Sequence, residues 1–172
     1  FPALTQGKVE WWAKAEQQVR LIAQLQSYSA SGTLTAEWMG FNNTGKFVYY
    51  EGSRRVETPV SYELDHWYRF TLLFDTQAQK KTFIISDDNG VLFAKTDIGF
   101  RDAGITSLNR FRFSTISTDV GTFYVDDLRV TDQMEDPPSE LTGLSFLQPR
   151  VTMSIGQTAQ LQTIGTYAGG GI

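Results

Sequence analysis

Short segments in which apolar and polar residues alternate recur along most of the chain, separated by turns rich in glycine, asparagine and aspartate. Alternation with a period of two is typical of a β-strand with one buried face, because successive side chains point to opposite sides of a strand. About ten such segments follow one another at roughly ten-residue spacing, which is typical of two packed sheets. The pattern predicts an all-β chain that forms a two-sheet antiparallel β-sandwich.

The longest alternating segment is Glu16–Ser27. Read as a strand, it turns four apolar side chains inward, Val19, Leu21, Ala23 and Leu25. It turns four polar side chains outward, Gln18, Arg20, Gln24 and Gln26. A helix over residues 13–26 is the alternative, because alanine, glutamine and leucine are good helix formers. The strict alternation favours the strand.

The segment Gly121–Thr131 contains a conflict of parity. Phe123 and Val125 share one parity and Leu128 and Val130 share the other, so a regular strand would place the two pairs on opposite faces. One extra residue near Asp126 and Asp127, a β-bulge, would bring all four apolar side chains to one core. We therefore predict a bulge at the two aspartates.

Composition limits the classes of function. The chain of 172 residues has no cysteine, which excludes a disulfide scaffold, a thiolate zinc site and a cysteine nucleophile. Its formal net charge is −4, with lysine and arginine scattered, so we expect no nucleic-acid partner. No apolar run approaches the roughly 20 residues of a membrane span, so we expect no membrane insertion. The first residues lack the pattern of a signal peptide, and we expect any export signal to lie outside this sequence.

An acidic segment with two prolines, residues 132–140, predicts a linker between domains. Residues 141–172 beyond it supply two or three predicted strands, too few for an independent core. The predicted organisation is a β-sandwich over 1–131, a linker over 132–140 and the truncated start of a second domain over 141–172.

Residues 141–172 resemble the start of a bacterial group 2 immunoglobulin-like domain. The resemblance rests on Thr142-Gly143-Leu144 and on Val151–Thr163, which includes Gly156-Gln157-Thr158 and an alternating apolar–polar run. Domains of this family occur in exported and surface-attached bacterial proteins, often beside carbohydrate-active modules. The resemblance implies a secreted or cell-surface protein of bacterial origin.

Residues 1–131 resemble a jelly-roll sandwich of the concanavalin A-like lectin/glucanase class. The resemblance rests on Trp67–Asp75 followed by a hairpin, on Leu108–Ser114 and on the closing segment Tyr124–Val130. The class includes carbohydrate-binding modules, glycoside hydrolases and polysaccharide lyases. Fold resemblance alone does not choose among them.

Residues for catalysis are not evident in the sequence. The hydrolases of this class carry acids at alternate positions of one strand, and no such string is present. The lyases pair a histidine with a tyrosine; His66 is the only histidine and lacks the lyase context. We therefore assign no catalytic residue, and interpret His66 as a turn residue at the entrance of a strand.

Binding of a polysaccharide or oligosaccharide needs an outward aromatic ring, on which the apolar face of a sugar stacks, and polar groups around it for the hydroxyls. One candidate set is Trp12 with Gln18, Arg20 and Gln24. A second is Tyr50 with Arg54 and Arg55, whose guanidinium groups suit an acidic saccharide. The alternatives are partial burial of Trp12 beneath a loop and ordinary solvated arginines.

Asp126 and Asp127 also predict a structural calcium site, because sandwiches of this class use an acid of the closing strand to hold calcium and the ion prefers oxygen ligands. The alternative is that one aspartate bonds a bulge amide and the other pairs with a base such as Arg129.

The predicted function is a non-catalytic carbohydrate-binding module next to other domains of the same polypeptide. The alternatives are a lyase or hydrolase of the same fold and a structural or adhesive surface module.

Overall fold

The structure is a computed structural model that describes residues 1–115, 119–134, 141–146 and 163–167. The chain divides into two compact units, Phe1–Met134 and Glu135–Ile172. No helix in the described ranges is long and apolar enough to cross a membrane.

Ten β-strands build the first unit. They are β1 (Gln6–Ala15), β2 (Leu21–Ser29), β3 (Gly32–Phe41), β4 (Lys46–Glu51), β5 (Arg54–Ser61), β6 (Tyr68–Asp75), β7 (Lys80–Asp87), β8 (Gly90–Gly99), β9 (Arg110–Thr115) and β10 (Phe123–Thr131).

The ten strands form two antiparallel five-stranded sheets, which we call the front and back sheets. The front sheet has the order β10-β1-β6-β7-β8 and the back sheet the order β5-β4-β3-β2-β9. The predicted all-β sandwich is confirmed. β6 is the central strand of the front sheet. β5 is an edge strand of the back sheet, which suits Pro59 because proline lacks the amide that an inner strand needs.

The space between the sheets is filled mainly by aromatic rings. Trp11 on β1 stacks on Phe70 of β6 at 5.2 Å and contacts Phe111 of β9, on the back sheet, at 4.9 Å. Phe41 on β3 packs edge-on against Phe70 at 5.5 Å. Alternate residues of β1 are buried, so the alternation seen in the sequence sets which side chains enter the core.

The segment between β1 and β2 differs from the prediction. A strand was expected from Glu16, but residues 16–20 leave β1 in the front sheet and cross to β2 in the back sheet. A local bond from the Val19 amide to the Gln17 carbonyl, 2.9 Å, and a bond from the Thr122 amide to the Gln17 side chain, 2.6 Å, hold the crossing. The helical alternative for 13–26 is wrong.

The bulge predicted in β10 is confirmed. Glu10 of β1 pairs with Arg129, whereas Trp12 pairs with Asp126, so one extra residue of β10 lies between the two pairs. Asp127 takes a left-handed backbone conformation there, with φ of 50°. Phe123, Val125 and Val130 pack against the core, but Leu128 is 48% exposed, so the expectation that all four apolar residues face the core is wrong for Leu128.

Two strands are described in the second unit, β11 (Leu141–Phe146) and β12 (Thr163–Tyr167), and they pair antiparallel. Most of the predicted linker, residues 135–140, and most of Val151–Thr163 lie outside the described residues. The immunoglobulin-like interpretation of this unit stays a prediction.

Candidate functional site

Trp12 lies on the outer face of the front sheet, because its neighbours Trp11 and Ala13 point into the core. It is half-buried and stands between Asp126 of β10 and Arg69 of β6, its partners in the two flanking strands. The indole is therefore held in the sheet and still reaches the surface.

A groove of about 270 Å³ opens beside Trp12. We call it the tryptophan groove, and it is lined by Trp12, Trp67, Asp88, Asp126 and Asp127. Three parts of the first unit build it: the β1–β10 pair, the residue before β6 and the turn between β7 and β8. The groove therefore combines two indole rings with three carboxylates.

A second hollow of about 220 Å³ also borders Trp12 and is lined by Arg69 and Arg129 among others. The Arg69 guanidinium lies 2.5 Å from Glu10 Oε1, and Lys8 Nζ lies 3.1 Å from Glu10 Oε2. Glu10 is thus neutralised by two cations, and the Arg69 side chain is fixed beside the indole.

A lysine supports the far wall of the groove. Lys14 Nζ lies 5.8 Å from the centre of the Trp67 ring and 4.8 Å from that of Tyr124, within the range of cation–π attraction. It also pairs with Asp65 at 3.4 Å. These contacts hold the Trp67 ring against the sheet.

The bulge aims the two aspartates at this groove. Asp126 Oδ1 accepts the Asp127 amide at 2.8 Å, and Asp127 Oδ1 lies 3.7 Å from Arg129 Nη2. This is the geometry expected if the aspartates do not bind calcium: one aspartate bonds the bulge amide and the other pairs with Arg129.

Within the described ranges no three acidic or histidine side chains are placed to hold a metal ion. Two aspartates alone fall short of the six to eight oxygens of calcium, and the calcium site stays a prediction.

Such a groove suits a saccharide. The two indoles that line the groove supply apolar surface for the C–H face of a sugar ring, and carboxylate oxygens accept hydrogen bonds from its hydroxyl groups. Asp88 makes no hydrogen bond or ion pair with the described residues, so its oxygens are open to a ligand. Ring stacking combined with fixed acceptors gives both affinity and orientation.

The other residues predicted beside Trp12 do not meet it. Gln18 and Arg20 lie in the crossing between β1 and β2. The Arg20 guanidinium binds Asp119 with Nε–Oδ2 and Nη2–Oδ1 distances of 2.7 and 3.2 Å, and its amide donates to the same carboxylate at 3.1 Å. Arg20 therefore holds the crossing in place.

Gln24 was predicted to face solvent, and this is wrong because the side chain is only 6% exposed. It lies on the outer face of the back sheet, between Trp38 of β3 and Arg112 of β9, and these large neighbours cover it. Its Nε2 donates to Ser114 Oγ at 2.8 Å. The physical reason for the error is that an inner strand can be covered by its neighbours even on the outer face.

Tyr50 and Arg55 pair across β4 and β5, also on the back sheet. Tyr50 packs edge-on against Trp38 at 5.9 Å, while Arg55 is exposed with Glu57 3.9 Å away. Arg54 is exposed at the β4–β5 turn and pairs with Glu51. The predicted binding residues are thus divided between two faces.

His66 remains a turn residue at the entrance of β6. Its Nε2 lies 3.5 Å from Asp87 Oδ2, and its ring contacts Tyr68 at 4.7 Å. The Tyr68 hydroxyl accepts the Glu63 amide at 2.8 Å, and burial raises the pKa of this phenol. A buried phenol with a raised pKa is poorly suited to serve as the base of a lyase.

The sequence interpretation missed Trp67 and Asp88. The sequence interpretation placed Trp67 at the start of the strand Trp67–Asp75, and in the structure it is the residue before β6. Asp88 lies in the Asp87-Asp88-Asn89-Gly90 sequence, which is typical of a hairpin turn, and this turn also borders the groove. The signal that could have identified Trp67 is its position as an aromatic residue at the start of an alternating run.

No protein-family model matches the chain. No curated protein matches it either. Among solved structures, one named sialidase matches with a TM-score of 0.55 and 16% sequence identity, over 76% of this chain and 14% of that one. The chain thus spans a small part of the length of that neighbour, and at this identity the likeness shows the fold alone: a two-sheet β-sandwich.

Proposed function

We propose that the first unit is a non-catalytic carbohydrate-binding domain and that the tryptophan groove is its binding site. The observation that carries the proposal is the placement of Trp12 and Trp67 around one groove with Asp88, Asp126 and Asp127. A sugar ring stacks on the indoles while its hydroxyl groups donate to the carboxylates.

The charge of the groove indicates which sugars fit. Three carboxylates border it, so an acidic saccharide is repelled and a neutral one is favoured. The proposed ligand is therefore a neutral polysaccharide or oligosaccharide.

The structural likeness to a sialidase supports a carbohydrate-related role, since that neighbour bears the name of a carbohydrate-active protein. We assign the domain to the concanavalin A-like class and the second unit to an immunoglobulin-like spacer, both on the sequence resemblance. The antiparallel β11–β12 pair is consistent with that spacer. This arrangement is typical of a protein secreted by bacteria or displayed on their surface.

The test is binding of the purified chain to neutral polysaccharides, first on a glycan array and then by calorimetry with the best ligand. Trp12→Ala and Trp67→Ala are each expected to weaken binding about tenfold or more, because tryptophans at the centre of an interface carry much of its binding energy. Tyr28→Ala is the matched control, because this exposed tyrosine lies on the back sheet.

Two outcomes contradict the proposal. One is wild-type affinity in both tryptophan variants. The other is release of products from the bound polysaccharide, which would favour an enzyme of the same fold. Incubation with the ligand, followed by assays for reducing ends and for the ultraviolet absorbance of unsaturated ends, distinguishes a binder from a hydrolase or a lyase.

A further inference from the structure

The outer face of the back sheet carries two arginines that have no carboxylate partner. Arg110 and Arg112 occupy alternate positions of β9, so their side chains share one face. Arg112 is exposed, and neither guanidinium forms an ion pair within the described part of the chain. Two like charges on adjacent same-face positions, roughly 7 Å apart along a strand, repel each other unless an anion lies between them.

A chain of buried amides holds Arg110 in place. Arg110 Nε donates to Gln26 Oε1 at 2.8 Å, Gln26 Nε2 donates to Gln24 Oε1 at 2.7 Å, and Gln24 Nε2 donates to Ser114 Oγ at 2.8 Å. Gln24 and Gln26 are only 6% and 4% exposed. Each amide carbonyl accepts and each amide nitrogen donates, so the donor chain has one direction, from the Arg110 guanidinium to the Ser114 hydroxyl.

Tyr28 fixes the same guanidinium from another side. The Arg110 Cζ atom lies 4.1 Å from the centre of the Tyr28 ring, and Arg110 Nη2 lies 3.3 Å from Thr33 Oγ1. Nη1 has no partner within the described residues. The guanidinium is thus held through Nε, through Nη2 and through its contact with the ring, and Nη1 stays open to a ligand. A guanidinium fixed in this way binds an anion at little entropic cost.

The basic surface extends across the sheet. The strand register places Arg112 of β9 beside Gln24 of β2, and Gln24 beside Trp38 of β3. It also places Tyr50 of β4 beside Arg55 of β5. Trp38 contacts Tyr50, which completes a row across all five strands. Arg112 and Arg55 therefore lie at opposite ends of the row. In its middle the Arg101 guanidinium lies over the Trp38 and Tyr50 rings, 4.8 and 5.6 Å from their centres.

We propose that this row is a second ligand site and that it binds the carboxylate or sulfate groups of an anionic polysaccharide. Guanidinium groups bind such groups through paired hydrogen bonds, and the extended row suits a polymer rather than a single ion. Arg110 and Arg112 make the anion contacts, and Gln26 positions Arg110. The site is independent of the tryptophan groove, which lies on the other sheet and is bordered by carboxylates.

The experiment measures binding of the full chain to polygalacturonate, dextran sulfate and neutral dextran at physiological salt. Polygalacturonate presents carboxylates and dextran sulfate presents sulfates, so the two probes distinguish the sources of the anion. Binding to at least one of them and none to dextran is expected. Arg110→Gln combined with Arg112→Gln is expected to weaken polyanion binding about tenfold or more, since the loss of one hydrogen bond between charged groups lowers affinity by about tenfold.

Arg112→Gln alone is the second variant, because Arg112 is exposed and forms no hydrogen bond or ion pair among the described residues, so a polar replacement should change stability little. This variant is expected to weaken binding severalfold. Lys95→Gln is the matched control, with the same change of charge at an exposed position of β8 on the front sheet. Trp12→Ala is expected to bind the anionic probe normally, which separates this site from the tryptophan groove.

Three results would overturn the proposal: no binding of either polyanion, unchanged binding in both arginine variants, or equally tight binding of single-stranded DNA. The last would show an unselective attraction to any polyanion.

Discussion

Glu37 on β3 and Lys81 on β7 form an ion pair that joins the two sheets through the core. The Glu37 Oε2–Lys81 Nζ distance is 2.7 Å, and neither side chain is exposed. Glu37 Oε1 accepts the amides of Trp38 and Tyr50 at 2.8 and 2.9 Å, and Lys81 Nζ donates to the Ala36 carbonyl at 2.9 Å. The charges are therefore paired and hydrogen-bonded, as burial requires.

A bulge in β3 makes this arrangement possible. Leu25 of β2 pairs with Glu37 and Gln26 pairs with Thr35, so Ala36 is the extra residue. The Ala36 carbonyl leaves the ladder and accepts both Lys81 Nζ and the Arg101 amide. Glu37 shares the parity of Met39 and Phe41, and it therefore points into the core with them.

The first prediction concerns loss of one partner. Lys81→Met is expected to destabilise the fold by about 3–5 kcal/mol, because it leaves Glu37 buried without a counter-charge. Adding Glu37→Gln is expected to recover on the order of 1–2 kcal/mol, since the glutamine carbonyl still accepts the two amides and carries no charge. Urea denaturation measures both values.

Lys80→Met is the control for the first prediction. Lys80 pairs with Asp97 at 3.3 Å at the surface, and its loss should cost less than about 1 kcal/mol. A Lys81→Met variant as stable as Lys80→Met would show that the buried pair contributes nothing.

The second prediction is a dependence of stability on pH. Burial raises the pKa of Glu37 to about 7 from an ordinary value of 4.5, against the attraction of Lys81. Between these pH values Glu37 keeps its proton in the folded protein but has released it in the unfolded chain. The stabilisation that this proton gives to the fold is therefore complete below pH 4.5 and is lost as pH rises through about 7. Wild type should therefore lose stability relative to Glu37→Gln between about pH 5 and 8 in urea titrations.

Lys81 acts in the opposite direction at higher pH. Burial lowers the pKa of Lys81 below 10.5, so its contribution to stability rises with pH in the alkaline range, up to 10.5. Stability of wild type and of Glu37→Gln is therefore compared only up to about pH 8. A constant difference between wild type and Glu37→Gln across that range would contradict the second prediction.

The third prediction uses the bulge at Asp127, whose φ of 50° favours glycine. Asp127→Val is expected to cost about 1–2 kcal/mol, because a β-branched side chain fits this backbone region poorly. Asp127→Gly should keep or improve stability and still weaken neutral-saccharide binding, since it removes a carboxylate from the tryptophan groove. Thermal denaturation and calorimetry separate the two effects.

Arg129→Val is the comparison for the third prediction, because Arg129 lies two residues along β10 and pairs regularly with Glu10. An exposed substitution there should change stability by less than about 0.5 kcal/mol. Equal losses in Arg129→Val and Asp127→Val would show that the bulge tolerates any residue.

Local patterns predicted the fold because each concerns one strand. The parity conflict of Phe123 and Val130 located the bulge at Asp126 and Asp127 without any knowledge of the neighbouring strand. The alternation of Glu16–Ser27 correctly favoured a strand over a helix. It did not show that residues 16–20 cross between sheets, because no glycine, proline or asparagine interrupts the sequence between Ala15 and Leu21.

The candidate site was harder to predict because its residues are far apart in the sequence. Trp12 and Asp126 were identified separately, and only the pairing of β1 with β10 brings them together. Trp67 and Asp88 join them through loops whose positions depend on β6 and β7. Gln24 had a suitable residue type for the Trp12 set, but strand order places it on the other sheet.

The last prediction compares two glycines with nearly the same backbone, Gly40 with φ of 148° and Gly32 with φ of 149°. A Cβ atom at Gly40 would lie 2.1 Å from the Leu21 carbonyl oxygen, whereas a Cβ at Gly32 meets nothing within 4 Å. Both alanine variants bear the same backbone strain, so their difference measures the contact between β3 and β2. Gly40→Ala should be about 1–3 kcal/mol less stable than Gly32→Ala in urea denaturation, since the backbone of β2 must shift. Equal stability of the two variants would show that β3 does not approach β2 this closely.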